Sequence, residues 1–175
     1  MTILRVWLTL ALAVPATAAQ AQAHQHATSP YAGNESREIK ALDDDEIKAY
    51  REGTGMGLAM PAELNHYPGP RHVLDMAAGL ALTADQKASL TASFDRMHAA
   101  AVALGDQIIA KEKALDQAFA AGTIDEPTLR DLTRLLGGLQ AELRNAHLKA
   151  HLETRRILTT EQVARYDALR GYTAH

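Results

Sequence analysis

Eight histidines stand in a chain of 175 residues that has no cysteine. Any metal chemistry here therefore falls to imidazole and carboxylate rather than thiolate. His147 and His151 are four apart, which on a helix sets both on one side. His98 lies in another periodic stretch. If the two stretches pair antiparallel in the register derived below, position 98 falls opposite position 149, midway between the other two. Three imidazoles converging there would suit zinc, nickel or copper(II), with Glu153 or a water completing the shell. The plainer alternative is three surface histidines along a helical edge. His24 and His26 offer a second site. Cleavage after Ala23 would leave a chain starting His-Gln-His, whose amine, two amides and third-residue imidazole can wrap copper(II) or nickel(II) in a square plane. Met56, Met60, His72 and Met76 would make a soft copper(I) site, although methionines at helical spacing ordinarily pack in a core. No Gly-x-Ser-x-Gly, phosphate loop or metalloprotease helix is present, so no catalytic residue is assigned and the chain is not expected to be an enzyme.

The elements that would carry these residues are helices. Aromatics make up 5% of the chain, and no run alternates apolar with polar residues, so the expected class is all-α. Arg5 followed by an apolar stretch from Val6 to Val14, Pro15, and small-x-small sites ending at Ala21 and Ala23 form a secretory signal. Residues 1–23 are thus assigned to a cleaved leader, with the cut near Ala21 to Ala23 and no membrane span after it. Residues 24–42 are polar and read as a flexible arm. Residues 43–80 form an acidic segment. Asp43 with Glu46 caps a short helix, a helical turn is expected near Pro61 to Asn65, and Pro70 starts a helix running to about Gly79. Residues 24–83 carry 5 basic and 9 acidic residues, whereas residues 84–170 carry 12 of each. No basic stripe suggests nucleic acid.

Residues 81–172 form the regular domain. Leu90, Phe94, Met97, Ala101, Leu104, Ile108, Lys111 and Leu115 are spaced alternately four and three, a heptad seam that stops near Gly122. Asp125 caps a second long helix with Pro127 in its first turn. Its seam runs through Leu129, Leu132, Leu136, Leu139, Leu143, Ala146 and Ala150, to about Ile157. A tight turn forces the two helices antiparallel. Met97 with Ala150, Ala101 with Ala146, Leu104 with Leu143, Ile108 with Leu139 and Leu115 with Leu132 all add to the same total, so one register serves five layers. Val102 and Ile109 lie off the seam, and Leu148 and Leu152 lie on the outer face of the second helix. Each must be covered or be there to bind. Gly137-Gly138, inside the second helix, would permit a bend or a close crossing, or is simply tolerated.

The pentapeptide Leu82-Thr-Ala-Asp-Gln86 returns 76 residues later as Leu158-Thr-Thr-Glu-Gln162. Locally each is a capping box. Thr83 and Thr159 accept from the backbone three residues on, and Gln86 and Gln162 reach back; Leu158 also staples onto Val163. Two such boxes flanking a helical hairpin, behind a signal, resemble the paired motifs of the LTxxQ family of Spy- and CpxP-type periplasmic proteins, over about Leu82 to Tyr166. The resemblance implies an all-α, cradle-shaped homodimer in the periplasm and ATP-independent chaperone or envelope-stress activity, with unfolded proteins or a sensor-kinase periplasmic domain as partners. Related branches bind zinc or sense nickel, cobalt or copper. The chain departs from the family in its acidic N-terminal segment and its net-neutral hairpin. For a chaperone, Leu148 and Leu152 among Arg144, Lys149, Arg155 and Arg156 would supply weak apolar contact beside long cations; alternatively the leucines pack beneath the acidic segment. No cofactor is required by this reading, and zinc, nickel or copper are the ions the alternative would use.

Overall fold

The computed structural model describes residues 28–172. The signal segment, His24 and His26 lie outside the described residues. From residue 33 onward the chain forms one compact unit. It comprises a short 3-10 turn (Asn34–Ser36) and six helices: α1 (Asp44–Arg51), α2 (Met60–Glu63), α3 (Pro70–Asp75), α4 (Ala84–Ala120), α5 (Glu126–Ile157) and α6 (Thr160–Arg170). There is no strand among the described residues, so the fold is all-α as expected. No helix among them is long and apolar enough to cross a membrane.

α4 and α5 are the antiparallel hairpin. Asp125 caps α5 through the Thr128 N–H at 2.9 Å, and Gly122 takes the left-handed turn (φ 65°) that β-carbon-bearing residues resist. The seams meet as the heptads require. Ala101, Ile108, Leu136 and Leu143 form one buried cluster, with Met97, Leu104, Leu115 and Leu139 packed on it. Met97 and Ala150 line the same groove, and at that end the Ser93 hydroxyl donates to Glu153 at 2.6 Å. Nothing approaches the backbone at Gly137 or Gly138, so a close helix crossing is not their role.

At the base of the hairpin lies a second cluster: Val73, Leu80, Leu82, Leu90, Leu158, Val163 and Tyr166. Both motif leucines are in it. Both capping boxes form with the threonines and glutamines in the expected roles. Sequence did not reveal that the boxes are tied together. The Gln86 side-chain amide donates to Gln162 Oε1 at 2.7 Å, and the Gln162 amide donates back to Gln86 Oε1 at 3.0 Å. Each amide also donates to a backbone carbonyl, Gln86 to Ile157 (3.0 Å) and Gln162 to Leu80 (3.3 Å). Each Oε1 accepts in addition from its own threonine N–H.

Residues 38–82 lie along the hairpin. Ile39 and Leu42 are buried, so ordered packing begins inside the stretch that composition reads as a flexible arm; two apolar side chains suffice to anchor it. α1 crosses α4 at Gly105, where a β-carbon would overlap the Tyr50 carbonyl. Val102 is covered there by Gly53. α3 stops at Asp75 rather than near Gly79. A run of turns then carries the chain through Ala81 (φ 49°), which lets Leu80 and Leu82 both enter the base cluster.

One contact in this layer is unfavourable. Burial first, then the Glu46 carboxylate on α1, pushes the Glu112 carboxyl on α4 above its ordinary value of 4.5. A raised acid binds its proton more tightly folded than unfolded, so it costs stability at neutral pH, and that cost disappears as pH falls through the raised value. Glu112→Gln is therefore expected to melt higher than the parent at neutral pH, the two curves converging near the ordinary value. Equal melting temperatures at neutral pH would show that the Glu46–Glu112 repulsion is fully screened.

Candidate functional site

Between the hairpin and the segments at residues 52–55 and 69–75 lies a cavity of about 410 Å³. α4 supplies His98, α5 supplies His147 and His151 one turn apart, and α3 supplies His72. The three histidines singled out by spacing thus line one space, and a fourth joins them from the acidic segment.

Their rings are held in different ways. His147 is buried at 5% exposure, and its Nε2 has no hydrogen-bond partner. Burial first, then the charges of His151 and His98, keep this imidazole below its ordinary value, so it is neutral at pH 7. His151 Nδ1 stands 2.7 Å from the Tyr67 carbonyl. A carbonyl only accepts, so Nδ1 carries the proton and the Nε2 lone pair is left free when the ring is neutral. Gly69 packs directly on that edge; a β-carbon there would come within 3.0 Å of Nε2. His98 stacks on Phe94 with 5.5 Å between ring centres, and the Arg71 guanidinium lies 5.7 Å from the Phe94 ring.

These restraints correct the expected convergence of His98, His147 and His151. Among the described residues no three histidines, aspartates or glutamates come close enough to hold one ion. Each ring is held by a different contact: His151 by the Tyr67 carbonyl, His98 by the Phe94 ring and His147 by burial. Glu153 does not complete a shell either. It bonds Ser93 and, at 2.9 Å, Arg96; the Ser93 bond above all, with help from Arg96, holds its carboxyl below the ordinary range. The methionine group also separates. Met56, Met60 and His72 border an adjoining cavity, whereas Met76 packs on the base cluster.

Glu63 is the residue that sequence reasoning missed. Its carboxylate accepts from the Tyr166 hydroxyl, from the Tyr172 hydroxyl at 3.1 Å and from the Gly69 N–H at 3.1 Å. His151 Nδ1 lies 3.7 Å away and Arg170 Nε 3.8 Å. One carboxylate thus joins α2, the loop before α3, α5 and α6. Burial and that carboxylate push the Tyr166 phenol well above its usual range. Nothing in the sequence separates Glu63 from the six other acids of residues 43–80.

The basic-apolar set on α5 borders more than one groove. Leu152 is 47% exposed, and Leu148 is half-buried. Arg144 borders a shallow groove with Tyr50, Met56 and Leu58. Arg156 borders a different one with Ser89, Ser93 and Glu153, and Arg155 is half-buried. A further groove of about 260 Å³ runs along the α4–α5 seam at Met97, Leu104, Lys149 and Ala150, with no residue of the N-terminal layer on its walls.

A family model described as LTXXQ motif family protein matches residues 69–170, more than half of the chain. No curated protein and no solved structure matches it. The matched span takes in α3 to α6 and both capping boxes, and leaves α1 and α2 outside. With its twin boxes, its hairpin and this match, the chain belongs to the LTXXQ motif family, the family of Spy- and CpxP-type periplasmic proteins.

Proposed function

We propose that the protein is a periplasmic, non-enzymatic chaperone that holds partly folded chains without ATP, as a dimer, or that presents them to an envelope-stress sensor. The observation that carries this reading is an exposed apolar side chain, Leu152, flanked by Leu148 and the cations Arg155 and Arg156 on one rigid helix. Phe119, Leu129 and Leu135 are exposed toward the turn of the hairpin as well. Scattered leucines of this kind bind weakly. Each contributes at most about 1.5–3 kcal/mol when covered, so several shallow contacts exchange quickly, which a holding chaperone needs. Long cations beside them attract acidic clients at a distance and lose that attraction in salt.

The mature protein is expected to suppress aggregation of a diluted, chemically unfolded client near equal molar ratio, with no nucleotide. Leu152→Asp should raise the amount needed about threefold, in line with loss of one shallow leucine contact. Absence of suppression at several-fold excess would count against the reading.

A second reading has its own support: a neutral, buried His147 whose Nε2 lacks a partner, in one cavity with His72, His98 and His151. Zinc, nickel or copper(II) bound there would have to draw the rings together, at the expense of the His151–Tyr67 bond and the His98–Phe94 stack. Titration calorimetry with each ion, repeated on a chain with His98, His147 and His151 all changed to alanine, tests it. Heat and a raised melting temperature in the parent only would favour a metal-sensing role. An unchanged melting temperature with all three ions would dismiss it.

A further inference from the structure

The N-terminal layer has two halves of unlike construction. Residues 63–82 are part of the fold: Val73 and Leu80 are fully buried in the base cluster, and Glu63 is bonded from three sides. Residues 38–58 lie outside the family match and are strapped on. α1 itself has no buried residue. Its N-terminal flank is tied by two ion pairs, Lys40 to Asp116 at 3.2 Å and Lys113 to Glu38 at 2.7 Å. The lysines and Glu38 are largely exposed, and such pairs contribute little. Glu46 and Glu112 repel one another across the same contact. The deepest anchors are Ile39 and Leu42, with Tyr50 and Leu58 packed on the hairpin cluster. Near the end of this first half, Gly53 (φ 59°), Met56 (φ 41°) and Gly57 (φ 74°) take left-handed backbone conformations.

The α4 face beneath the strap is shaped for a backbone. Gly105 lets the Tyr50 carbonyl lie on the helix, and Ala101 and Val102 receive Gly53, whose β-carbon position lies 3.1–3.3 Å from them. Lys113 answers the acidic head of the strap. Once uncovered, the face would offer small residues, Val102 and Ile109, with Lys113 and Asp116 at one end.

We propose that this face of α4, centred on Ala101, Val102 and Gly105, is a docking site for aromatic-bearing segments of other chains that carry charges of both signs, and that residues 38–58 occupy it as a displaceable internal substitute. The proposal deepens the chaperone reading above, which supplies the source of such segments, namely partly folded clients. The strap then sets how much docking surface is open. Displacement leaves the base cluster and the capping boxes intact, because no residue of 38–58 belongs to them.

Two variants and one probe test this. Glu38→Lys, Ile39→Asp and Lys40→Glu in one chain loosen the strap and leave α4 untouched. Gly105→Leu evicts the strap and fills the face, and because glycine is a poor helix former the hairpin is not weakened. The probe is a fluorescent peptide of residues 38–58, followed by anisotropy, with hydrogen exchange reporting strap protection. The peptide should bind the triple variant at least about tenfold tighter than the parent, whose own strap competes. It should not bind Gly105→Leu, although the strap exchanges rapidly in both variants. Equal binding to parent and triple variant, binding to Gly105→Leu, or a strap still protected in the triple variant would each overturn the proposal. Client holding is measured alongside. A rise in the triple variant supports both claims. Peptide binding without any client holding supports the docking face and sinks the chaperone reading alone.

Discussion

Two glutamine side chains exchanging amide hydrogen bonds at the base of the hairpin fix the relation between α4 and α6. Gln86 and Gln162 are 76 residues apart, yet each donates to and accepts from the other. Each also closes its own capping box and holds one backbone carbonyl of the partner region. Every polar group of both side chains is thereby engaged. This is a demanding arrangement, because removing one member leaves part-buried donors and acceptors on the other unpaired, which costs more than the bond itself is worth. Leu82 and Leu158, just before the two threonines, enter one apolar cluster with Leu90, Val163 and Tyr166. The motif repeats because its two copies are halves of one joint.

The rest of the molecule follows from that joint. With the base pinned, the heptad seams run upward in one register, and the helix faces left over must be covered or remain open. The acidic segment covers one of them. Glu63 bolts its second half to α6 through two tyrosine hydroxyls and stands beside His151. The first half is held by the buried side chains of Ile39 and Leu42, by two ion pairs and by a glycine crossing. The imidazole-lined cavity is a by-product of this covering layer, since His72 and the walls at Gly53, Gly55 and Gly69 come from it.

Much of this architecture could be read from residue types. The alternating three-four spacing from Leu90 to Leu115 and from Leu129 to Ala150 depends only on helix geometry, so hairpin and register were legible. Thr83 and Thr159 were legible as caps because capping is local. What could not be read depends on side-chain direction or distant partners. His98, His147 and His151 reach one cavity as spacing implies, but the Tyr67 carbonyl and the Phe94 ring decide where two of the rings point. Glu63 has no local signature; its role comes from Tyr166 and Tyr172, more than a hundred residues away. Ile39 and Leu42 look like strays in a polar arm until α4 is placed beside them. Arg144 and Arg156 stand twelve residues apart on one helix and border different grooves.

A double-mutant cycle on the joint tests this account most directly. Gln86→Ala, Gln162→Ala and the double variant are unfolded by denaturant, and the coupling free energy is taken from the four stabilities. The losses of the two separate capping boxes cancel in the cycle and leave the term between the glutamines. A coupling of about 1–3 kcal/mol is expected for a part-buried reciprocal pair. Losses that add to within about 0.3 kcal/mol would show two independent caps and contradict the joint.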